Sequence, residues 1–170
     1  MSNTRFEFIE NTYYHIYNRG FQKQIIFKDK YDFERFYKYI IKEQKDFLNI
    51  KIVSYCFLPN HFHFIVHNIE TGLSLSDFMR KIQGSYAMYF KAKHKTETGL
   101  RMPVFEGRFK AKIIENEEYL AKCLTYVNYN AVKHNIVENI EDYQWTSYNQ
   151  LVNKDKINEY KDLILDELEF

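Results

Sequence analysis

Two apolar runs on either side of a Pro-Asn pair constrain the fold of this chain more than any other feature. Ile50 to Leu58 and His61 to His67 flank Pro59-Asn60, and both runs are rich in β-branched and aromatic residues. They predict two antiparallel strands joined as a hairpin. Strand side chains alternate between faces, so His61 and His63 point one way while Phe62, Phe64 and Val66 point the other. Two histidines backed by an apolar core are what a two-histidine metal seat requires. Sheet histidines hydrogen-bonded to their neighbours are the plain alternative, and the pair alone does not choose between them.

The elements around the hairpin follow from periodicity. Tyr13 to Gly20 predicts a first strand ending in a glycine turn. Asp29 caps a helix in which Tyr31, Phe33, Phe36, Tyr37, Ile40 and Ile41 recur at helical spacing, to about Phe47. Ser74 or Ser76 opens a second helix running past Phe90, and Thr96-Glu97-Thr98-Gly99 reads as a polar loop. Val104 to Ile114 is expected as the fourth strand, and Asn116-Glu117-Glu118 as the start of a third helix reaching about His134.

The resulting order, β-α-β-β-α-β-α, predicts an α+β fold of the ferredoxin-like, split βαβ kind. Its antiparallel sheet would carry two helices on one face and the added helix on the other. The chain has 170 residues, enough for one domain with a sizeable core. We expect that domain over residues 1–152 and an acidic tail or short helix over 153–170. Glu141 to Tyr148, which holds the only tryptophan, is expected to pack against the domain.

Hydrophobic residues make up 45% of the chain and aromatics 18%, which excludes a disordered chain. With 15 tyrosines, however, no single tyrosine is informative until its position is known. Cys56 and Cys123 do not make a disulfide framework and are expected as reduced core residues. The N-terminus lacks an apolar signal core, and no stretch approaches the ~18 apolar residues of a membrane span. The expectation is a soluble, cytoplasmic protein without a membrane partner.

A net charge of +1 conceals two opposed regions. Between Arg80 and Lys112 nine basic residues stand against two acidic ones, whereas after Lys112 five basic residues stand against twelve acidic ones. The basic stretch is interleaved with Tyr86, Tyr89, Phe90, Phe105 and Phe109, a composition suited to a phosphate backbone with exposed bases and equally to a solvated helix face. Arg19, Arg108, Lys110 and Lys133 are the candidate phosphate contacts, with Arg108 and Lys110 expected to alternate outward on the fourth strand.

On the third helix, Leu120, Cys123, Leu124, Val127 and Ala131 fit a core stripe, while Lys122, Tyr126, Asn130 and Lys133 line up on another face. Laid across the open side of the sheet, that face would bring a phenol, an amide oxygen and ammonium groups to His61 and His63. Two neutral imidazoles with the Asn130 oxygen would make a mixed N/O site suited to Mg²⁺ or Mn²⁺. Tyr126 would be a nucleophile toward a phosphodiester, although a tyrosine phenol is mostly protonated at pH 7 and needs help to attack.

Pro59-Asn60-His61-Phe62-His63, Phe105-Glu106-Gly107-Arg108-Phe109-Lys110, the run Thr125 to His134, and Trp145-Thr146-Ser147-Tyr148 occur in that order. Together they resemble the REP-associated tyrosine transposases, in the one-tyrosine branch of the His-hydrophobic-His single-strand nucleases. The similarity extends from about Tyr13 to Leu151. It implies a metal-dependent endonuclease and strand transferase acting on single-stranded or hairpin DNA, in which a tyrosine becomes linked to a 5′ phosphate and frees a 3′ hydroxyl. Matched by motif, the metal histidines are His61 and His63, the nucleophile Tyr126 and the third ligand Asn130.

The chain departs from the family pattern in three respects. Ala131 stands where the family often has proline, Tyr129 lies one turn from Tyr126 and competes for its role, and His67 adds an imidazole on the same strand face. Mobile-element relatives often act as homodimers and repeat-processing relatives as monomers, and the residues leave both open. Two other classes remain: a non-catalytic single-stranded DNA- or RNA-binding module, and a histidine-triad hydrolase, disfavoured because Ile65 occupies the third histidine slot.

Overall fold

The computed structural model describes residues 8–70, 74–95 and 102–152. Strands β1 (Thr12–Arg19), β2 (Ile50–Leu58), β3 (His61–Asn68) and β4 (Lys110–Ile114) form one sheet in the order β2-β3-β1-β4, with every neighbouring pair antiparallel. Helices α1 (Lys30–Gln44) and α2 (Leu75–His94) pack together on one face. On the other lie α3 (Glu117–Asn128) and the short α4 (Asn130–Lys133), with α5 (Tyr148–Val152) beyond them. This is the ferredoxin-like arrangement expected from the element order, with the added helix on the predicted side. The acidic segment 153–170 and the loop Thr96–Gly99 lie outside the described residues.

Aromatic packing sets the two faces apart. The Phe36 ring on α1 lies 5.2 Å from Phe57 and from Phe62 and 5.1 Å from Tyr86 of α2, so one layer of rings joins both helices to β2 and β3. Burying such rings is worth roughly 2 kcal/mol or more apiece, enough to fix which side of β3 faces the core. A one-residue slip of β3 would bring its histidines into this layer.

The helix starts read from the sequence are present. Asp29 accepts from the Asp32 amide at 3.1 Å, Ser74 from Ser76 at 3.1 Å and Asn116 from Tyr119 at 2.8 Å. These caps satisfy amides that the first helical turn leaves free.

Two boundaries differ from expectation. The fourth strand begins at Lys110, not Val104. Val104 and Phe105 instead turn into the core, where Phe105 meets Phe62 at 6.0 Å, and Gly107 at φ +72° ends any ladder there. Arg108 therefore precedes the strand instead of alternating along it. The third helix is also interrupted at Tyr129, whose φ of −83° and ψ of 9° separate α3 from α4.

The tryptophan segment packs as expected. Trp145 stacks on Phe33 at 4.5 Å, its carbonyl accepts from the Phe57 amide at 2.9 Å, and the Ser147 amide donates to the Tyr55 carbonyl at 3.0 Å. Residues 145–147 thus run along the outer edge of β2. Cys56 and Cys123 are both buried free thiols. Among the described residues no helix is long and apolar enough to cross a membrane.

Candidate functional site

The turn that delivers the histidines is held by backbone bonds. The Pro59 carbonyl accepts from the amides of Ile26 and Phe27 at 2.8 and 2.9 Å, and the Asn60 carbonyl from Gly20 at 2.8 Å. Glycine is required at position 20, because a Cβ there would lie 2.1 Å from the Gln24 carbonyl oxygen. From this turn β3 projects His61 and His63 toward α3, with ring centroids 5.2 Å apart.

Each ring is engaged through Nδ1. His61 Nδ1 lies 2.6 Å from the Asn60 side-chain oxygen, which can only accept, so Nδ1–H donates and a neutral His61 keeps its lone pair on Nε2. His63 Nδ1 lies 2.9 Å from His15 Nε2 on β1. Burial lowers the His61 pKa to about 4, helped by the neighbouring His134 and opposed by Asn130. Burial lowers His63 further, to about 2, aided by the neighbouring His15, His61, His134 and Lys133. Both are therefore neutral at pH 7, the state a metal ligand needs.

Helix α3 supplies the remaining parts. The Tyr126 ring stands edge-on to His63 at 5.7 Å and to His15 at 5.9 Å, and Lys133 places its ammonium 4.6 Å above that ring. Tyr126 is 38% exposed, so water and a ligand can reach it. Asn130 is fully buried, its amide nitrogen donating to the Tyr126 carbonyl at 3.5 Å. Its Oδ1 is buried without a hydrogen-bond partner, yet lies close enough to His61 to favour that ring's protonated form. An unpaired buried oxygen costs roughly 1–3 kcal/mol and is uncommon without a reason.

This donor set fits a hard divalent ion of the Mg²⁺ or Mn²⁺ kind, with His61, His63 and Asn130 as the residues that could hold it. Among the described residues no cluster of three His, Cys, Asp or Glu side chains is placed to do so. A third donor would therefore be the amide.

Tyr129, the competing phenol, points elsewhere, its ring 5.7 Å from Tyr148. His67 is satisfied by the Asn11 side-chain oxygen at 2.9 Å and by stacking on Tyr13 at 4.2 Å. Lys122 pairs with Glu118 at 2.5 Å on the exposed side of α3 and does not join the site. Arg19 lies opposite His61 in the β1–β3 ladder, with its guanidinium on Glu106 at 3.0 Å. Lys110 is exposed on β4 opposite Tyr17, on the histidine side of the sheet, whereas Arg108 is exposed ahead of that strand.

His15, Asn60 and Lys112 are the nearby residues that sequence reasoning missed, and His134 joins them from the end of the expected third helix. Lys112 lies opposite His15 in the β1–β4 ladder and adds to the lowering of the His15 pKa, which burial mainly brings to about 4. His134 stands 5.0 Å from His61. A signal for His15 existed: the expected topology puts β1 beside β3, and His15 shares strand parity with Tyr17, the partner of His63.

The family model described as "Transposase IS200 like" matches residues 8–130. The chain belongs to this IS200-like transposase family. A Haemophilus influenzae protein provisionally described as a REP-associated tyrosine transposase is 27% identical over 107 residues. That match takes in 58% of each sequence, so it spans less than two thirds of the relative's length. Among solved structures, a REP-associated tyrosine transposase bound to a REP hairpin superposes with a TM-score of 0.71 at 22% identity, covering 100% of this chain and 95% of its own. The tRNA(His) guanylyltransferase of Saccharomyces cerevisiae superposes at 0.52 with 14% identity, covering 77% of this chain and 65% of its own. The IS200-like transposase fold is thus secure, while the distant enzyme shows that this scaffold alone does not specify chemistry.

Proposed function

We propose that this transposase-family protein is a metal-dependent single-strand DNA endonuclease and strand transferase that cuts hairpin or repeat DNA through a 5′-phosphotyrosine at Tyr126. The observation that carries the reading is the convergence of an accessible tyrosine on α3, two neutral histidines on β3 and an unpaired buried amide oxygen at the start of α4. A bound divalent ion would polarise the scissile phosphate and offset charge that develops on it.

The chain's own residues account for the rest. His61, His63 and Asn130 would hold the ion, and Lys133 above the Tyr126 ring, with Lys110 and Lys112 on the histidine side of β4, would meet a phosphate bound there. The Tyr126 phenol oxygen bonds to phosphorus while the bond to the 3′ oxygen breaks. The phenol proton leaves to water, and the departing 3′ oxygen takes a proton in return. The energy of the broken ester is kept in the phosphotyrosine, so a 3′ hydroxyl can later attack it and rejoin a strand.

The test is incubation of a labelled hairpin oligonucleotide with the protein and Mg²⁺ or Mn²⁺. The wild type and Tyr129→Phe should form a covalent adduct and Tyr126→Phe none. His61→Ala should abolish cleavage while retaining most DNA binding. An adduct that survives in Tyr126→Phe would remove the assigned nucleophile, and DNA binding without any adduct in the wild type would instead indicate a non-catalytic binding module.

A further inference from the structure

The buried contact between His15 and His63 has no counterpart among the assigned roles of the family motifs. His15 is 8% exposed on β1, and its Nε2 faces His63 Nδ1 at 2.9 Å across the β1–β3 ladder. A hydrogen bond between two ring nitrogens needs a proton on one and a lone pair on the other. If His15 donates, His63 accepts at Nδ1, carries its proton on Nε2 and has no lone pair left for a ligand. If His63 donates, its Nε2 lone pair is free.

The neighbouring histidine decides between the two arrangements. His61 is held by the Asn60 oxygen in the form with the proton on Nδ1 and the lone pair on Nε2, so a shared ion would be approached by Nε2 there. The same form at His63 makes the pair equivalent, and it requires His15 to accept. Outer partners that fix a ligand ring in this way are as much a part of a metal site as the ligands themselves.

We propose that His15 is a positioning residue: its Nε2 accepts from His63 Nδ1–H and so holds the His63 Nε2 lone pair toward the divalent ion. The inference rests on the metal reading of His61 and His63 for its purpose, but the hydrogen bond can be tested without metal. It does not place His15 in contact with substrate or ion.

The experiment uses the whole chain with ¹⁵N-labelled imidazoles in EDTA, read by long-range ¹H–¹⁵N spectra, followed by Mn²⁺ titration monitored by the electron paramagnetic resonance of free Mn²⁺. The wild type should show His63 protonated on Nδ1. His15→Phe keeps a ring but removes the acceptor, and should lower Mn²⁺ affinity by about 10–100-fold. His15→Gln offers an oxygen acceptor and should recover part of the loss. A wild-type His63 protonated on Nε2 overturns the proposal, and so does a His15→Phe protein that binds Mn²⁺ as tightly as the wild type. If the wild type binds no Mn²⁺, the functional reading fails, while the tautomer of His63 still decides the role of His15.

Discussion

At the scale of single residues, the unpaired Oδ1 of Asn130 would set stability against the proposed metal role. The protein keeps a polar atom buried with no donor beside it except the His61 ring, a cost an apolar side chain of similar size would not carry. Asn130→Leu should therefore raise the metal-free stability by about 1 kcal/mol, measured by urea unfolding in EDTA, while Mn²⁺ binding falls. A variant no more stable than the wild type would mean that the oxygen is satisfied in solution. Sequence spacing placed Asn130 one turn from Tyr126, and the 3.5 Å contact between them fits that spacing. Position in the sequence could not reveal that the oxygen lacks a partner, because that depends on how α4 turns after Tyr129 and on what β3 leaves open.

Between elements, two buried polar clusters decide how the helices sit. Asn128, at the end of α3, accepts from the Ser147 hydroxyl at 2.8 Å, and that hydroxyl also lies 2.9 Å from Ser54 on β2. The helix bearing Tyr126 is thereby tied to the strand beside β3. Ser147→Ala should cost roughly 1–3 kcal/mol and loosen α3, seen as faster amide exchange over residues 117–128. Unchanged exchange would show that packing alone holds the helix. The sequence carried Ser147 only as part of an aromatic motif, since nothing local says which helix that segment meets.

The second cluster joins α1 to α2 at Asp32. Burial alone would push this carboxyl up, but Lys93, the Lys28 amide, Tyr89 and His94 outweigh it and hold it below its ordinary value. A carboxylate whose folded pKa is depressed contributes stability above its unfolded value of about 4 and loses it as pH falls through the folded value. Asp32→Asn should thus cost about 2 kcal/mol at pH 7, with the difference from wild type shrinking toward pH 3 in urea unfolding. A difference independent of pH would mean that geometry, not charge, gives Asp32 its worth.

For the whole molecule, net charge is the wrong guide to a polyanionic partner. The sheet face beneath α3 carries Lys110 and Lys112, with Arg19 and Lys133 at its margins, although the chain as a whole is close to neutral. Lys112→Ala should weaken hairpin DNA binding evenly across sequences and reduce the slope of log K against log salt by roughly 0.7–0.9. An unchanged slope would take Lys112 off the interface. The fold class, the face on which the added helix lies and the convergence of Tyr126 on the histidines were legible from alternation and helical spacing. The break at Tyr129 and the late start of β4 were not, since both arise where tertiary contacts override a continuous local pattern.

The strip of chain running along β2 also governs how copies of this protein can meet. With residues 145–147 bonded along Tyr55 to Phe57, that part of β2 offers no template for a foreign strand, and among the described residues the far side of β4 is the other margin of the sheet. That border bears Lys110 and Lys112 within five residues, and a second copy laid antiparallel against it would set like charges face to face. Self-association by strand addition is thus opposed along both of these stretches.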